Sequence, residues 1–346
     1  MAPAPAGEPI LIVGAGAIGA TVGAWIASFH DEVSFVARGA TADAIRENGL
    51  RVYPGSQRDR YVAFRPPVYT ADDQWPRAAV VIVTVKNYSL DDVCRRIVDK
   101  LGNEAIVVGL QNGVVNQRIL PEYFRRSIFG IVGYNAWVDA PGVVGYQRQG
   151  PIYFGAIDPA MRSECRELAD YFARGFDAYF TDRVQDAAYN KIVLNLTNSL
   201  TALVGFGYRP IDDPATAQRL LSAVLDEGID VLRAAGVRQV RMKSLPSWGL
   251  LRASARLPQW LTGPIFRRQL KKMNISSMAQ DVIGHHRPDT ELETINGELL
   301  ALADRHGIDA PINRALFDLC REKFAQTDFQ PMTVSHVSRR LGLTAS

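Results

Sequence analysis

The sequence predicts an α/β protein with an N-terminal Rossmann-type dinucleotide-binding domain followed by an all-helical C-terminal domain. Three observations carry that prediction. Short β-branched runs alternate with helical patterns over residues 9–155, a Gly-x-Gly-x-x-Gly turn follows the first run, and the β pattern stops past about residue 185. The 346 residues leave room for two domains with two cores. We expect a disordered tail at 1–8, a nucleotide-binding domain at 9–184 and a helical domain at 185–346.

Pro9–Val13, Glu32–Ala37, Ala78–Val85 and Ala105–Leu110 are near-continuous apolar runs, as parallel strands covered by helices on both faces require. Gly130–Tyr134 and Ile152–Gly155 are further candidates. Helical periodicity then takes over in Ala187–Val204, Pro214–Ala235, Glu291–His306 and Ala315–Ala325.

The first strand runs into Gly14-Ala15-Gly16-Ala17-Ile18-Gly19 and then into the helical run Ala20–Ser28. Strand, glycine turn and helix in that order suit a dinucleotide. The first glycine makes the tight turn and the second admits the pyrophosphate. The third lets helix and strand pack, while the helix N-terminus faces the phosphates. The second strand ends in Ala37-Arg38-Gly39. An acid there would bind a free ribose 2′-hydroxyl, whereas Arg38 suits the 2′-phosphate of NADP(H). Its plain alternative is a solvated arginine at a strand end. Two later strands end in Val85-Lys86-Asn87 and Gln111-Asn112-Gly113, which places Lys86 and Asn112 where such sheets bind ligands. Taken singly, they read equally as a solvated lysine and an Asn-Gly turn.

In the helical half, Lys191, Asn195 and Asn198 fall at i, i+4 and i+7 and share one narrow helix face. Ile192, Val193, Leu194, Leu196, Leu200 and Leu203 fill the others, so the helix is mostly buried and its polar groups need partners. A polar substrate would satisfy them; so would a structural hydrogen-bond network. A second cluster is Asn274-Ile275-Ser276-Ser277-Met278, followed by Pro288-Asp289-Thr290-Glu291-Leu292-Glu293. Thr290 and Glu293 read as a capping box, which puts Glu291 in a helix's first turn, where a carboxylate also suits the dipole.

Composition excludes other classes. With 47% hydrophobic and 22% charged residues and a net charge of +3, the chain is an ordinary globular protein, and nothing points to nucleic acid. Cys94, Cys165 and Cys320 are odd in number and far apart, which suits a reducing, cytoplasmic setting. The histidines have no metal-ligand spacing with them, and His285-His286 reads as a solvated loop pair, so no metal is expected. No stretch reaches the roughly 18 apolar residues of a membrane span. The Pro-rich start lacks the basic flank of a secretory leader.

One stretch stands apart. Residues 238–275 hold nine Lys and Arg, from Arg238 to Lys272, and no Asp or Glu, interleaved with Trp248, Leu250, Trp260, Leu261 and Ile265. It reads as a wall or lid lending apolar surface and positive charge to a bulky acid. The alternatives are a contact with an anionic membrane surface and a helical pair packed on the domain.

Together these segments resemble the ketopantoate reductase family over nearly the whole chain. The resemblance rests on the Gly14–Gly19 turn, Arg38, Val85-Lys86, Gln111-Asn112-Gly113, Lys191 with Asn195 and Leu200-Thr201-Ala202. Ser276-Ser277-Met278-Ala279-Gln280-Asp281 and Thr290-Glu291, leading to Ile295-Asn296-Gly297, complete it. It implies a Rossmann domain and a helical domain with the active site in the cleft between them. NADPH would reduce a 2-oxo acid, ketopantoate to pantoate, as in pantothenate biosynthesis. The resemblance makes Lys191 the general acid and has Glu291 hold the substrate or the nicotinamide end. Asn195, Asn198 and Ser277 would bind substrate; Arg38, Lys86 and Asn112 would contact NADP(H), with Ala136 near the nicotinamide. A homodimer through the helical domain fits the same picture. Three features depart from the pattern: Asn198 follows Lys191 by seven positions rather than eight, Gly205-Phe206-Gly207-Tyr208 stands where an asparagine is expected, and Ser277–Glu291 is about two residues longer than usual. They leave open a bulkier or more apolar ketone, 2-oxo acid or imine as substrate. A non-catalytic NADP sensor is the reading from outside enzymology.

Overall fold

The computed structural model describes residues 7–243, 245–270, 275–284 and 290–343. The expectations on residues 1–6 of the tail, Lys271, Lys272, Asn274, His285-His286 and Pro288-Asp289 fall outside them. The chain forms two compact units. One runs to Gln185 and takes in a short segment starting at Met242; the other comprises Asp186–Arg241 and the chain from Leu245 on.

The first unit contains β1 (Ile10–Val13), α1 (Ala17–Ala27), β2 (Val33–Val36), α2 (Gly39–Asn48), β3 (Leu50–Pro54), β4 (Val62–Phe64), β5 (Val68–Tyr69) and β6 (Val80–Val83). After these come α3 (Leu90–Leu101), β7 (Ile106–Gly109), α4 (Asn116–Tyr123), β8 (Ser127–Val132), β9 (Ala136–Ala140), β10 (Val143–Tyr146), β11 (Ile152–Gly155), α5 (Arg162–Phe172) and β12 (Ala178–Phe180). The main sheet has the order β12-β11-β8-β7-β6-β1-β2-β5. Every residue of β1, β2, β6 and β7 is buried, the physical reason those runs lack polar alternation. Each large side chain so buried contributes about 1.5–3 kcal/mol.

Two features depart from a purely parallel reading. β11 runs antiparallel to β8, with Ile152 opposite Val132, because the chain between them turns back without a crossover helix. That intervening chain supplies β9 and β10 to a second, four-stranded sheet, β4-β3-β10-β9. The strand expected at Gly130–Tyr134 starts earlier, at Ser127, and ends at Val132.

The second unit is helical: α6 (Val184–Leu203, its first residues belonging to the first unit), α7 (Pro214–Ala234), α8 (Trp248–Arg256), α9 (Gln259–Leu270), α10 (Ser277–Ala279), α11 (Glu298–His306), α12 (Pro311–Phe324) and α13 (Val334–Arg340). α7 starts cleanly because Asp213 accepts from the N–H groups of Ala215 and Thr216, with Pro214 at the first helical position. α6 and α7 approach closely at Gly228, where a Cβ would lie 2.6 Å from Leu196 Cδ1. α12 begins on Glu227 of α7, which accepts from the backbone N–H groups of Ile312 and Asn313 and from Asn313 Nδ2. That carboxylate sits at the positive end of a helix dipole. Two π-helical turns, Gln280–Gly284 and Glu293–Gly297, follow α10 and precede α11. The basic stretch folds as two helices packed on α7. Arg252 pairs with Asp226 at 2.8 Å and with Asp230, and Trp248 is buried.

Candidate active site

In the first unit, four adjacent parallel strands deliver their carboxyl ends side by side. Gly14 follows β1 with φ +111°, a conformation that L side chains rarely adopt. Its N–H donates to Val36 O at 2.9 Å, and its carbonyl accepts from Thr84 Oγ1, beyond β6, at 2.7 Å. Gly19 closes the turn: a Cβ there would lie 1.8 Å from Gly14 O and 2.6 Å from Thr84 Oγ1. At Gly16, by contrast, an added Cβ would meet nothing within 4 Å. Gly16 is also the N-cap of α1, with no side-chain cap and no acid in the first turn. The turn is therefore packed at its two outer glycines and open at the middle one, the arrangement an incoming pyrophosphate needs. Ala15, Ala17 and Ile18 fill the positions between.

Arg38 is exposed at the N-cap of α2, directly beyond β2, with no ion-pair partner among the described residues. Lys86 follows β6 and caps a short 3₁₀ turn, Asn87–Ser89. Asn112 follows β7, and its carbonyl accepts from Asn87 Nδ2 at 2.7 Å. These positions share one end of one sheet with the glycine turn. Ala136 opens β9 in the second sheet, two residues after Tyr134, whose hydroxyl lies 2.7 Å from Thr21 Oγ1 of α1. Tyr134 thus ties the start of β9 to the helix behind the glycine turn. Thr84 and Tyr134 are the residues sequence reasoning missed here.

In the second unit, the stripe on α6 meets Glu291. Burial pushes the Lys191 ammonium down to about 8, with Glu291 partly opposing the shift by favouring the charged form. Glu291 is 5% exposed, so it is not a solvated helix-end decoration. The expected capping box does not form: Thr290 Oγ1 accepts from Leu292 N–H at 3.2 Å, two residues on, and the π turn begins at Glu293 with Leu292 as its N-cap and no side-chain cap, so Glu291 lies just ahead of it. Ser277 Oγ donates to Glu291 Oε2 at 3.4 Å. Asn195 and Asn198 are half-buried on the same stripe, and their side-chain amides have no hydrogen-bond partner among the described residues.

Residues behind the stripe hold it in place. Thr201 Oγ1 lies 3.3 Å from Ser276 Oγ, and Ser276 caps α10 by accepting from Ala279 N–H. Asn190, one position before Lys191, donates to Asp186 O and Arg238 O and accepts from Val240 N–H. Fully buried Asn296 donates to Ser199 Oγ at 3.1 Å, joining the second π turn to α6. Ser276 and Asn296 stood out in the sequence only as parts of the family resemblance, and neither they nor Asn190 carried a local signal for these contacts. Among the described residues no group of three or more His, Cys, Asp or Glu could hold a metal ion.

Two family profiles match the chain: Ketopantoate reductase PanE/ApbA over residues 10–159, and its C-terminal domain over residues 183–324. The chain belongs to the ketopantoate reductase family. Membership makes it an oxidoreductase of the class acting on CH–OH groups. The 2-dehydropantoate 2-reductase of Archaeoglobus fulgidus is 29% identical over 316 residues, 91% of this chain and 97% of that protein. Its counterpart from Halobacterium salinarum is 28% identical, covering 92% and 99%. A PanE/ApbA family ketopantoate reductase from Ralstonia eutropha superposes with a TM-score of 0.74 at 25% identity, covering 92% of this chain and 99% of that one. D-mandelate dehydrogenase, solved with NADH and anilino(oxo)acetate, gives a TM-score of 0.77 at 21% identity over 93% and 100%, a likeness of fold. The ketopantoate reductase fold thus accounts for both units, the mixed sheet and the helical array alike.

Proposed function

We propose that the protein reduces a 2-oxo acid with NADPH, 2-dehydropantoate to pantoate in the simplest case, with Lys191 as proton donor. The observation that carries this reading is Lys191 itself, a desolvated amine set beside Glu291 with Asn195 and Asn198 on the same stripe. When bound, NADPH supplies the hydride. The open middle glycine, the uncapped α1 N-terminus and the unpaired Arg38 fit a dinucleotide carrying a 2′-phosphate, so Gly14–Gly19, Arg38, Lys86 and Asn112 are assigned to it. Ala136 is assigned to the nicotinamide end.

The chain's own chemistry concerns the carbonyl oxygen, which gains negative charge as the ketone carbon is reduced and needs a proton. Lys191 Nζ gives that proton, and a donor near 8 can both hold and release it around neutral pH. Glu291 keeps the donor cationic before transfer. Asn195, Asn198 and Ser277 orient the acid's carboxylate and hydroxyl groups. We place the work in the cytoplasm, where the buried thiols Cys94, Cys165 and Cys320 stay reduced, and expect a homodimer through the helical unit. A Staphylococcus aureus ketopantoate reductase of the same fold is described as dimeric.

A second reading, a bulkier substrate, is favoured by Tyr208. It stands where an asparagine was expected, is partly exposed, and puts its hydroxyl against Gly284, where a Cβ would lie 2.6 Å away. NADPH consumption followed across a panel of 2-oxo acids tests both readings. 2-Dehydropantoate should lead under the first and a larger acid under the second, while no turnover with any ketone would leave only the sensor.

Arg38→Ala is expected to raise the NADPH KM roughly tenfold to a hundredfold, the worth of a charge-assisted contact to phosphate, and to leave that for NADH unchanged. Steady-state kinetics with both cofactors decide it; equal use of the two by the parent protein would remove Arg38 from the site.

A further inference from the structure

The helix α9 is built inside out. Gln259 Nε2 donates to Ala215 O at 2.5 Å, Thr262 Oγ1 accepts from Gln218 Nε2 at 2.7 Å, and Gly263 is buried beside Gln218. Its polar and small residues therefore face α7. Trp260, Leu261 and Ile265 point away instead, with Trp260 75% and Ile265 60% exposed. Leu250 of α8, 64% exposed, and Leu257 between the two helices are turned to solvent as well. An ordinary surface helix has the opposite polarity. An apolar patch of this kind marks an interaction face.

Charge indicates the partner. Residues 238–275 contain no acid. Arg252 and Arg256 are spent on Asp226 and Asp230 of α7, while Arg267 and Arg268 are exposed. Trp, Leu and Ile flanked by Arg267 and Arg268, with no carboxylate on either helix of the hairpin itself, match a helix lying in the headgroup region of an anionic bilayer. A second copy seated here about a two-fold axis would bring these arginines against themselves. We propose that the α8–α9 hairpin docks the protein reversibly on anionic lipid surfaces. Trp260, Leu261 and Ile265 enter the boundary between headgroups and acyl chains, and Arg267 and Arg268 meet lipid phosphates. This is surface attachment: no helix among the described residues is long and apolar enough to cross a membrane.

Flotation of the purified full-length protein tests it, with phosphatidylcholine vesicles and with vesicles that also contain phosphatidylserine. Comigration is expected with the anionic vesicles only, reversed by high salt. It should be accompanied by a blue shift of tryptophan emission that is absent in Trp260→Phe. The double variant Trp260→Glu, Ile265→Glu should lower the bound fraction about tenfold or more, with melting temperature and helical spectrum unchanged. Absence of comigration, or undiminished binding by the double variant, overturns the proposal. So does a protein indifferent to vesicles whose dimer in the ultracentrifuge is dispersed by the same two substitutions; the face would then belong to a second copy.

Discussion

Lys191→Ala is expected to lower turnover by about 10² or more, the usual loss when a general acid is removed, while NADPH binding stays nearly intact. The asymmetry follows from placement. Lys191 lies on α6, whereas the glycine turn and Arg38 belong to the other unit. Fluorescence titration of NADPH beside single-turnover kinetics separates the two effects. The parent's pH profile gives a second check. The donor must carry its proton, so turnover should be level below about pH 8 and fall above it, approaching tenfold per pH unit. Lys191→Arg should not restore the rate, because a guanidinium does not release its proton in this range. Stability should move the opposite way with pH. A lysine whose pKa is lowered on folding binds more protons in the unfolded chain between about 8 and 10.5, so stability rises with pH across that window. Lys191→Ala should abolish this contribution. Unfolding of the variant, or turnover close to the parent's, would return Lys191 to a structural role.

Gly16→Ala and Gly19→Ala are expected to fail in opposite ways. At Gly19 the new methyl would sit 1.8 Å from Gly14 O, a clash with backbone that no rotamer relieves. Overpacking of this kind costs about 1–3 kcal/mol or more, and distorts the turn itself. Gly19→Ala should therefore melt earlier and lose NADPH affinity together. At Gly16 the backbone has φ −76°, which alanine adopts freely, and the methyl meets no protein atom. Stability should stay within about 1 kcal/mol of the parent. Affinity for the dinucleotide should nonetheless drop about tenfold or more, because the methyl would enter the space that the proposed function gives to the pyrophosphate. Thermal melts with and without NADPH measure both. A Gly16→Ala protein binding NADPH like the parent would show that the open middle of the turn is not where the phosphates go.

What could be read in advance had one physical basis: burial on both faces. β1, β2, β6 and β7 are covered by helices and so appear as unbroken apolar runs. The stripe of Lys191, Asn195 and Asn198 was visible because it interrupts an otherwise apolar helix. The second sheet escaped notice because β4 and β9 are largely exposed and the strands are only 3–5 residues long. Its key pairing, Arg51 with Val143, joins segments far apart in sequence. Thr84 looked like the end of a strand, and only three dimensions reveal it as the clasp of the glycine turn. Glu291's burial likewise depends on residues distant in sequence, which no local pattern encodes. The basic stretch gave the reverse lesson. Its composition was conspicuous, but which residues face α7 and which face water required the fold.

The short segment at Met242 bears on how such an enzyme can be cut, shuffled or evolved. Lys243 N–H donates to Tyr153 Oη at 2.7 Å, and its ammonium reaches Tyr179 Oη at 2.5 Å while lying over that ring. Both tyrosines belong to neighbouring strands of the nucleotide-binding sheet, so the outer edge of that sheet is finished by residues encoded deep within the helical half. A gene fragment ending at Gln185 would leave the tyrosine pair bare. A helical half grafted from a relative would import its own version of this patch. Recombination across the apparent boundary is therefore a two-point exchange, and chimaeras should be soluble more often when Met242 and Lys243 travel with the sheet they complete.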